Sequence, residues 1–258
     1  MRELLEALAA GDVSVAEAEA RLAGYATTDA GRFDAAREAR SGVPEAVLAA
    51  GKTPAETASL AVTAVETAGR AIVTRASEDH REAVRGSVRE HHPDAAVSVD
   101  DRARVVVARA SAFEAPDLDA TVGVVSAGTS DAVPLGEART AAAEMGATVE
   151  TVEDVGVASL ARLLDRLDDL READVLVVAA GREGALPTVV AGLLDVPVIG
   201  LPVSTGYGHG GEGEAAILGM LQSCTVLSVV NVDAGFVAGA QAGLIARRVA
   251  AARGESDD

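Results

Sequence analysis

The chain has 258 residues, 22 Lys+Arg against 40 Asp+Glu for a formal charge of −18, and a 49% hydrophobic composition with one cysteine and no tryptophan. That apolar fraction is ample for a packed core, which excludes an intrinsically disordered chain. An acidic balance without a basic stripe leaves nothing to displace counterions from a phosphate backbone, which excludes nucleic acid as the main partner.

Lys52 is the only lysine, and the other Lys+Arg residues are all arginine. A surface rich in Asp and Glu and almost free of lysine fits adaptation to high salt, where screening weakens self-repulsion; a GC-rich codon bias accounts for it equally well. The lone Cys224 rules out an intramolecular disulfide and a thiolate metal cluster within one chain, in keeping with a reducing compartment. Residues 1–22 carry acids through their apolar positions and lack a signal-peptide core. No uncharged run reaches the roughly 20 residues needed to span a bilayer. A cytoplasmic protein with no membrane partner is expected.

In chain order, residues 1–24 predict two short amphipathic helices, the second opened by a capping box between Ser14 and Glu17. Residues 25–50 are polar and arginine-rich and predict no regular element. Thr53 as N-cap and Pro54 at the first helical position open a helix to about Ala68. A strand over 71–75, a helix over 78–92 and a strand over 104–110 complete a mixed α/β domain, assigned to 1–118. A proline and weak periodicity make 111–120 a linker.

Over 119–258 the rhythm becomes regular. Strands are predicted at 121–127, 147–151, 173–180, 196–202 and 225–232. Helices fill the gaps at 135–145, 157–171, 184–194 and 212–222, and a last helix runs over 237–251. Uninterrupted β-α alternation with nearly continuous apolar strands predicts a parallel sheet covered on both faces, a flavodoxin-like three-layer sandwich. Ligands of such sheets bind beyond the carboxyl ends of the strands.

Three strand-end loops therefore hold the candidate site. Ser126-Ala127-Gly128-Thr129-Ser130-Asp131 follows the first strand and precedes a helix; small residues, hydroxyls and free N–H groups suit a phosphate, and an ordinary helix cap uses the same residues. Gly181-Arg182-Glu183-Gly184 follows the third strand, where Glu183 fits either a capping or a catalytic carboxylate. The glycine-dense run from Ser204 through Gly206, Tyr207 and Gly208 to Glu212 can close over a ligand. Cys224, at the end of the fourth helix, reads as a small core hydrophobe or a nucleophile; a helix C-terminus does not favour the thiolate, so activation would come from a neighbouring or substrate cation.

The segments SAGTSD (126–131), DVGVASLARLL (154–164), AAGREGALPTVVAGL (179–193), PVSTGYG (202–208) and MLQSCTVLSVVNVDAGF (220–236), with RFDAAREARSGVPEAVLAAGKT (32–53) and VTR (73–75), resemble the LarB family of nickel-pincer cofactor biosynthesis. The C-terminal half is in turn similar to PurE, the aminoimidazole ribonucleotide carboxylase/mutase. The resemblance implies carboxylation of nicotinic acid adenine dinucleotide at C5 of its pyridinium ring by CO2, and hydrolysis of its phosphoanhydride to pyridinium-3,5-biscarboxylic acid mononucleotide and AMP. It implies Cys224 as the nucleophile at the ring and magnesium as cofactor. It further implies Glu183 as a base and Ser126, Gly128, Thr129, Ser130, Asp131, Gly181 and Gly184 near the nucleotide. Ser204, Gly206, Tyr207 and Gly208 would lie around the ring, and Lys52 and Arg75, with Arg40 a weaker candidate, on anionic groups. A homo-oligomer is implied as well, since PurE-like sandwiches assemble as octamers. The chain departs from the family pattern at Ala161, where a histidine is usual, at Arg182 in place of methionine, and at Ala234 in place of asparagine; His209 is a local candidate for the lost imidazole. A purine-pathway carboxylase/mutase and a non-catalytic nucleotide-binding regulator are the alternative readings.

Overall fold

The structure is a computed structural model that describes residues 2–256. The described residues form two compact units that divide between Glu114 and Ala115.

The first unit begins with helices α1 (Arg2–Ala10) and α2 (Val15–Ala23), where the Ser14 hydroxyl accepts from the Glu17 amide as the capping box predicts. It continues through β1 (Ala26–Thr28), β2 (Gly31–Phe33), α3 (Arg37–Ser41), β3 (Val47–Leu48), α4 (Pro54–Ala68), β4 (Arg70–Thr74), α5 (Glu78–His91), β5 (Ala96–Asp100) and β6 (Val105–Arg109). Four of these strands form a mixed sheet in the order β3-β4-β6-β5, with β3 and β4 parallel and the other pairs antiparallel. Alternate residues of β4 and β6, among them Val73, Val106 and Ala108, pack with Leu60 and Val65 of α4 and Val84 and Val88 of α5. Helix α4 starts where the sequence places it: the Thr53 hydroxyl accepts from the Glu56 amide while the Glu56 carboxylate accepts from the Thr53 amide at 2.7 Å. The hairpin β1–β2 was not expected from residues 25–50. Its turn is closed by the Thr28 hydroxyl, which accepts from Ala30 N and donates to Gly31 O, both at 3.1 Å, a local bond that hydropathy does not reveal.

The second unit runs β7 (Thr121–Ser126), α6 (Ala132–Glu144), β8 (Thr148–Val152), α7 (Leu160–Leu164), α8 (Leu167–Arg171), β9 (Val175–Ala180), α9 (Ala185–Leu193), β10 (Val198–Pro202), α10 (Glu214–Leu221), β11 (Ser228–Val229) and α11 (Gly235–Ser256). The five strands are all parallel in the order β8-β7-β9-β10-β11. This is the flavodoxin-like arrangement that the β-α rhythm predicts. Alternation along the strands separates two buried layers. Val122, Val124, Val175, Val177 and Leu201 face α6 and α11, whereas Val125, Leu176, Val178 and Val198 face α7 to α10 through Leu163, Leu170, Leu186, Val190 and Met220.

Two expected elements are corrected. The strand predicted over 225–232 is reduced to Ser228–Val229: it lies at the sheet edge, bonded only to β10, and Val226 is 94% exposed. The helix predicted over 157–171 breaks into a 3-10 turn at Val157–Ser159, α7 and α8. At the break the Arg166 amide bonds back to Leu163 O instead of continuing the i−4 ladder.

Helices α6 and α11 approach closely because glycine lies between them. A β-carbon on Gly235 would collide with Pro134 O, and one on Gly239 with Ala138 O. Gly239→Val should therefore destabilise the protein by about 3 kcal/mol, seen as a lower denaturation midpoint at unchanged slope. Gly86 lies exposed within α5 with nothing within 4 Å of an added β-carbon. Gly86→Ala should raise stability by about 0.5–1 kcal/mol, because only the helix-propensity term changes.

Candidate functional site

Strand β7 stands between β8 and β9, so the chain leaves β7 towards one side of the sheet and β9 towards the other. The loops diverge there and leave a crevice at the carboxyl ends of the strands. A cavity of about 500 Å³ occupies it, lined by Gly128, Ser130 and Asp131 after β7, Gly156 after β8, Gly181 to Glu183 after β9, and Thr205 to Tyr207 after β10. That volume suits a nucleotide-sized ligand.

The loops are fastened to one another beneath the cavity. The buried Asp131 carboxylate accepts from Thr205 Oγ1 at 2.9 Å, from Gly128 N at 3.0 Å and from Ser130 Oγ at 3.4 Å. One side chain thus ties the loop after β7 to the loop after β10. Burial raises its pKa above the usual carboxylate range; the three hydrogen bonds work in the opposite direction, and Asp233 adds a further raise by charge repulsion. Arg182 N donates to Thr205 O at 3.3 Å, and a β-carbon on Gly181 would strike Thr205 O, so only glycine allows the loops after β9 and β10 to approach this closely. Gly184 holds a positive φ of 66° beneath Ala216 of α10.

On the exposed wall the Arg182 guanidinium lies over the Tyr207 ring at 4.3 Å from its centroid, and its Nη2 donates to the Tyr207 hydroxyl at 3.1 Å. Arg182 adopts φ 53° and Asp154, after β8, φ 60°, a left-handed conformation that side chains other than glycine rarely take. Such residues cluster where a site dictates the backbone.

The structure brings together Gly128, Ser130, Asp131, Gly181, Glu183, Gly206 and Tyr207 of the expected site residues. Arg182, Gly156 and Thr205 join them without having been assigned a place in the site. Arg182 and Thr205 lie inside quoted motifs, but only the third dimension shows that they meet. Ser126, Thr129, Gly184, Ser204 and Gly208 flank the cavity in sequence and do not line it. Ser126 Oγ is buried with no hydrogen-bond partner among the described residues, and Ser204 N donates to Asp233 Oδ1 at 2.9 Å. Cys224 lies in the segment between α10 and β11, exposed and outside the cavity lining, which removes the core-hydrophobe reading. Ala161 is exposed on α7, and His209 is exposed in the loop after β10; neither lines the cavity.

Lys52, Arg75 and Arg40 belong to the first unit. Lys52 Nζ donates to Leu48 O at 2.7 Å, Arg75 follows β4 with φ 54°, and Arg40 bonds Asp34 at 2.6 Å. That unit has its own larger cavity, about 850 Å³, lined by Asp34, Glu38, Glu45, Glu66 and Glu114 as well as Arg70. Such a carboxylate-rich lining repels phosphates, so the smaller cavity of the second unit is the better candidate. Among the described residues no group of three or more His, Cys, Asp or Glu could hold a metal ion, so the side chains provide no ready-made magnesium site. No helix among the described residues is long and apolar enough to cross a membrane.

Parallel strands in this order, with glycine-rich loops around a nucleotide-sized cavity, define a flavodoxin-like ligand-binding α/β protein. The chain belongs to the AIR carboxylase family: the AIR carboxylase model matches residues 121–256, and the LarB/PurE-like N-terminal domain model matches residues 25–112. These two domains, in this order, are those of the LarB family with its PurE-like C-terminal half. The chain is also 36% identical over 254 residues to an "uncharacterized protein" of Methanocaldococcus jannaschii, covering 96% of this chain and 97% of that one. The family carries carboxylase-type chemistry on a nucleotide substrate.

Proposed function

We propose that the protein carboxylates nicotinic acid adenine dinucleotide at C5 of the pyridinium ring with CO2 and hydrolyses the phosphoanhydride, releasing pyridinium-3,5-biscarboxylic acid mononucleotide and AMP for nickel-pincer cofactor synthesis. The observation that carries the reading is the joining of a LarB-type N-terminal domain to a PurE-like half whose strand-end motifs converge on one cavity.

The pyridinium C5 is too electron-poor to attack CO2. In this reading the Cys224 thiolate adds to C4, the ring becomes a neutral enamine, and C5 gains nucleophilic character. C5 then bonds to the carbon of CO2. Glu183, which lines the cavity, takes the C5 proton. The electron pair left behind restores the aromatic ring as the C4–S bond breaks and the thiolate departs. No oxidant is needed, and the net exchange is C–H for C–COO⁻. Water cleaves the anhydride separately. Since Cys224 does not line the cavity of its own chain, the reading brings the thiol to the ring across a contact between copies in a homo-oligomer. Magnesium would enter on the substrate's phosphates, where it supplies Lewis acidity, and no step above passes through it.

Incubation with nicotinic acid adenine dinucleotide, labelled bicarbonate and Mg²⁺ should yield a labelled pyridine mononucleotide and AMP. The absence of both products would sink the reading. Label fixed instead on aminoimidazole ribonucleotide would reassign the protein to the purine-pathway reaction that the AIR carboxylase match also admits.

A further inference from the structure

Arg182 is the only lysine, arginine or histidine among the residues lining the second unit's cavity, which it shares with the carboxylates of Asp131 and Glu183. An anion entering this cavity meets one counter-charge and two repelling groups. Elsewhere arginines are held by acids: Arg37 by Glu45 at 2.7 Å, and Arg40, Arg162 and Arg253 by Asp34, Asp154 and Asp174 at 2.6 Å. Arg182 has no carboxylate partner among the described residues, in a chain with 40 of them. It rests on Tyr207 instead, with Nη2 engaged by the phenol oxygen and the other guanidinium N–H groups without a partner among the described residues.

This wall has two chemical faces. Tyr207 is 79% exposed and presents an aromatic surface, and the guanidinium beside it presents a planar cationic fork. A planar fork pairs best with two coplanar oxygens, as in a carboxylate. A tetrahedral phosphate gains less from that planarity and is served equally well by backbone N–H groups. The adjoining aromatic surface suits a ring that bears the carboxylate.

We propose that Arg182, held by Tyr207, is the specificity-determining residue that binds an aromatic ring carboxylate of the substrate and thereby separates nicotinate nucleotides from nicotinamide nucleotides. The proposal deepens the reading above and rests on it for the ring's identity. Tyr207 acts as a positioning residue by holding the guanidinium in a conformation that leaves its fork open to the cavity.

Calorimetric titration of the full chain with nicotinate mononucleotide and nicotinamide mononucleotide isolates the carboxylate, because the phosphates are the same. The wild type should prefer the acid by about tenfold or more, the scale of a charge-assisted bidentate pair. Arg182→Gln should abolish the preference by weakening the acid alone, and Arg182→Lys should retain only part of it. Tyr207→Phe, which removes the hydroxyl but keeps the ring, should reduce the preference less than Arg182→Gln does. A wild type without preference, or an Arg182→Gln loss equal for both ligands, would overturn the proposal; the second result would place the phosphate on Arg182. The labelled-bicarbonate assay separates the two claims. Turnover of the dinucleotide with an unchanged preference in Arg182→Gln defeats only this inference. A preference lost in the variant without any carboxylation defeats only the proposed reaction.

Discussion

Replacing Cys224 by serine should lower carboxylation on the order of a thousandfold or more and leave the fold unchanged. The size of the effect follows from the route. Without thiolate addition the ring stays aromatic and cationic, C5 has no electron pair to offer CO2, and a serine hydroxyl at neutral pH is far too weak a nucleophile to replace sulfur. The preserved fold follows from exposure: Cys224 contributes no buried packing, so the substitution should shift stability by no more than about 0.5 kcal/mol. The measurement is fixation of labelled CO2 into the mononucleotide alongside AMP release. AMP release that survives in the variant would mark hydrolysis as a separate step; full carboxylation would refute the covalent route. Exposure also makes subunit sharing testable. If one copy's thiol serves another copy's cavity, co-assembling inactive Cys224→Ser chains with inactive Glu183→Gln chains should restore part of the activity. The mixed oligomer then contains sites with an intact thiol and an intact carboxylate. No restoration in verified mixed oligomers would confine the chemistry to one chain.

Asp131→Ala should cost about 3 kcal/mol of stability and raise the substrate KM about tenfold. The carboxylate is buried and accepts from Thr205, Gly128 and Ser130, so its removal leaves the amide and hydroxyl donors of two loops unsatisfied and releases the cavity wall. Denaturation curves and steady-state kinetics on the same preparation measure both. The pH dependence separates the charge from the hydrogen bonds. Burial, the largest influence, raises the folded pKa of Asp131, so between the unfolded and folded values the native state binds more protons than the unfolded one. The stability it contributes is therefore complete at low pH and declines as pH rises through the folded pKa. Asp131→Asn has no such titration. The stability of wild type relative to this variant should increase as pH falls from 7 towards the ordinary carboxylate range. A wild-type advantage that instead shrinks as pH falls would show that the hydrogen bonds to Thr205 and Gly128, not burial, govern the carboxyl.

Much of this architecture is legible in the residue pattern because it depends on near neighbours. The Thr53 N-cap followed by Pro54 and the apolar strands Val122–Val125 and Val175–Val178 are readable over a few residues, and the helix start and the sheet positions both hold in the structure. The hairpin at 26–33 and the shortening of the strand expected over 225–232 to Ser228–Val229 were not readable. The first depends on a threonine side-chain bond in its turn, the second on a missing neighbour beyond the sheet edge.

The candidate site divides in the same way. Small residues and acids after the strands mark Gly128, Asp131, Gly181 and Glu183, since a parallel sheet sends every strand end to one side. That Asp131 reaches Thr205, 74 positions along the chain, and that Arg182 lies on Tyr207, 25 positions along, depends on which strands are neighbours, and sequence spacing does not encode strand order. The single cysteine was visible from composition, yet its exposure outside the cavity was not. A helix terminus can face the core or the solvent with the same local sequence, and only the packing of α10 against α9 and β10 decides between them. The acidic composition by itself told that any anion site must be locally compensated. Only the tertiary structure brings Arg182 into the cavity lining, because which cation lies there depends on which side chains the fold gathers.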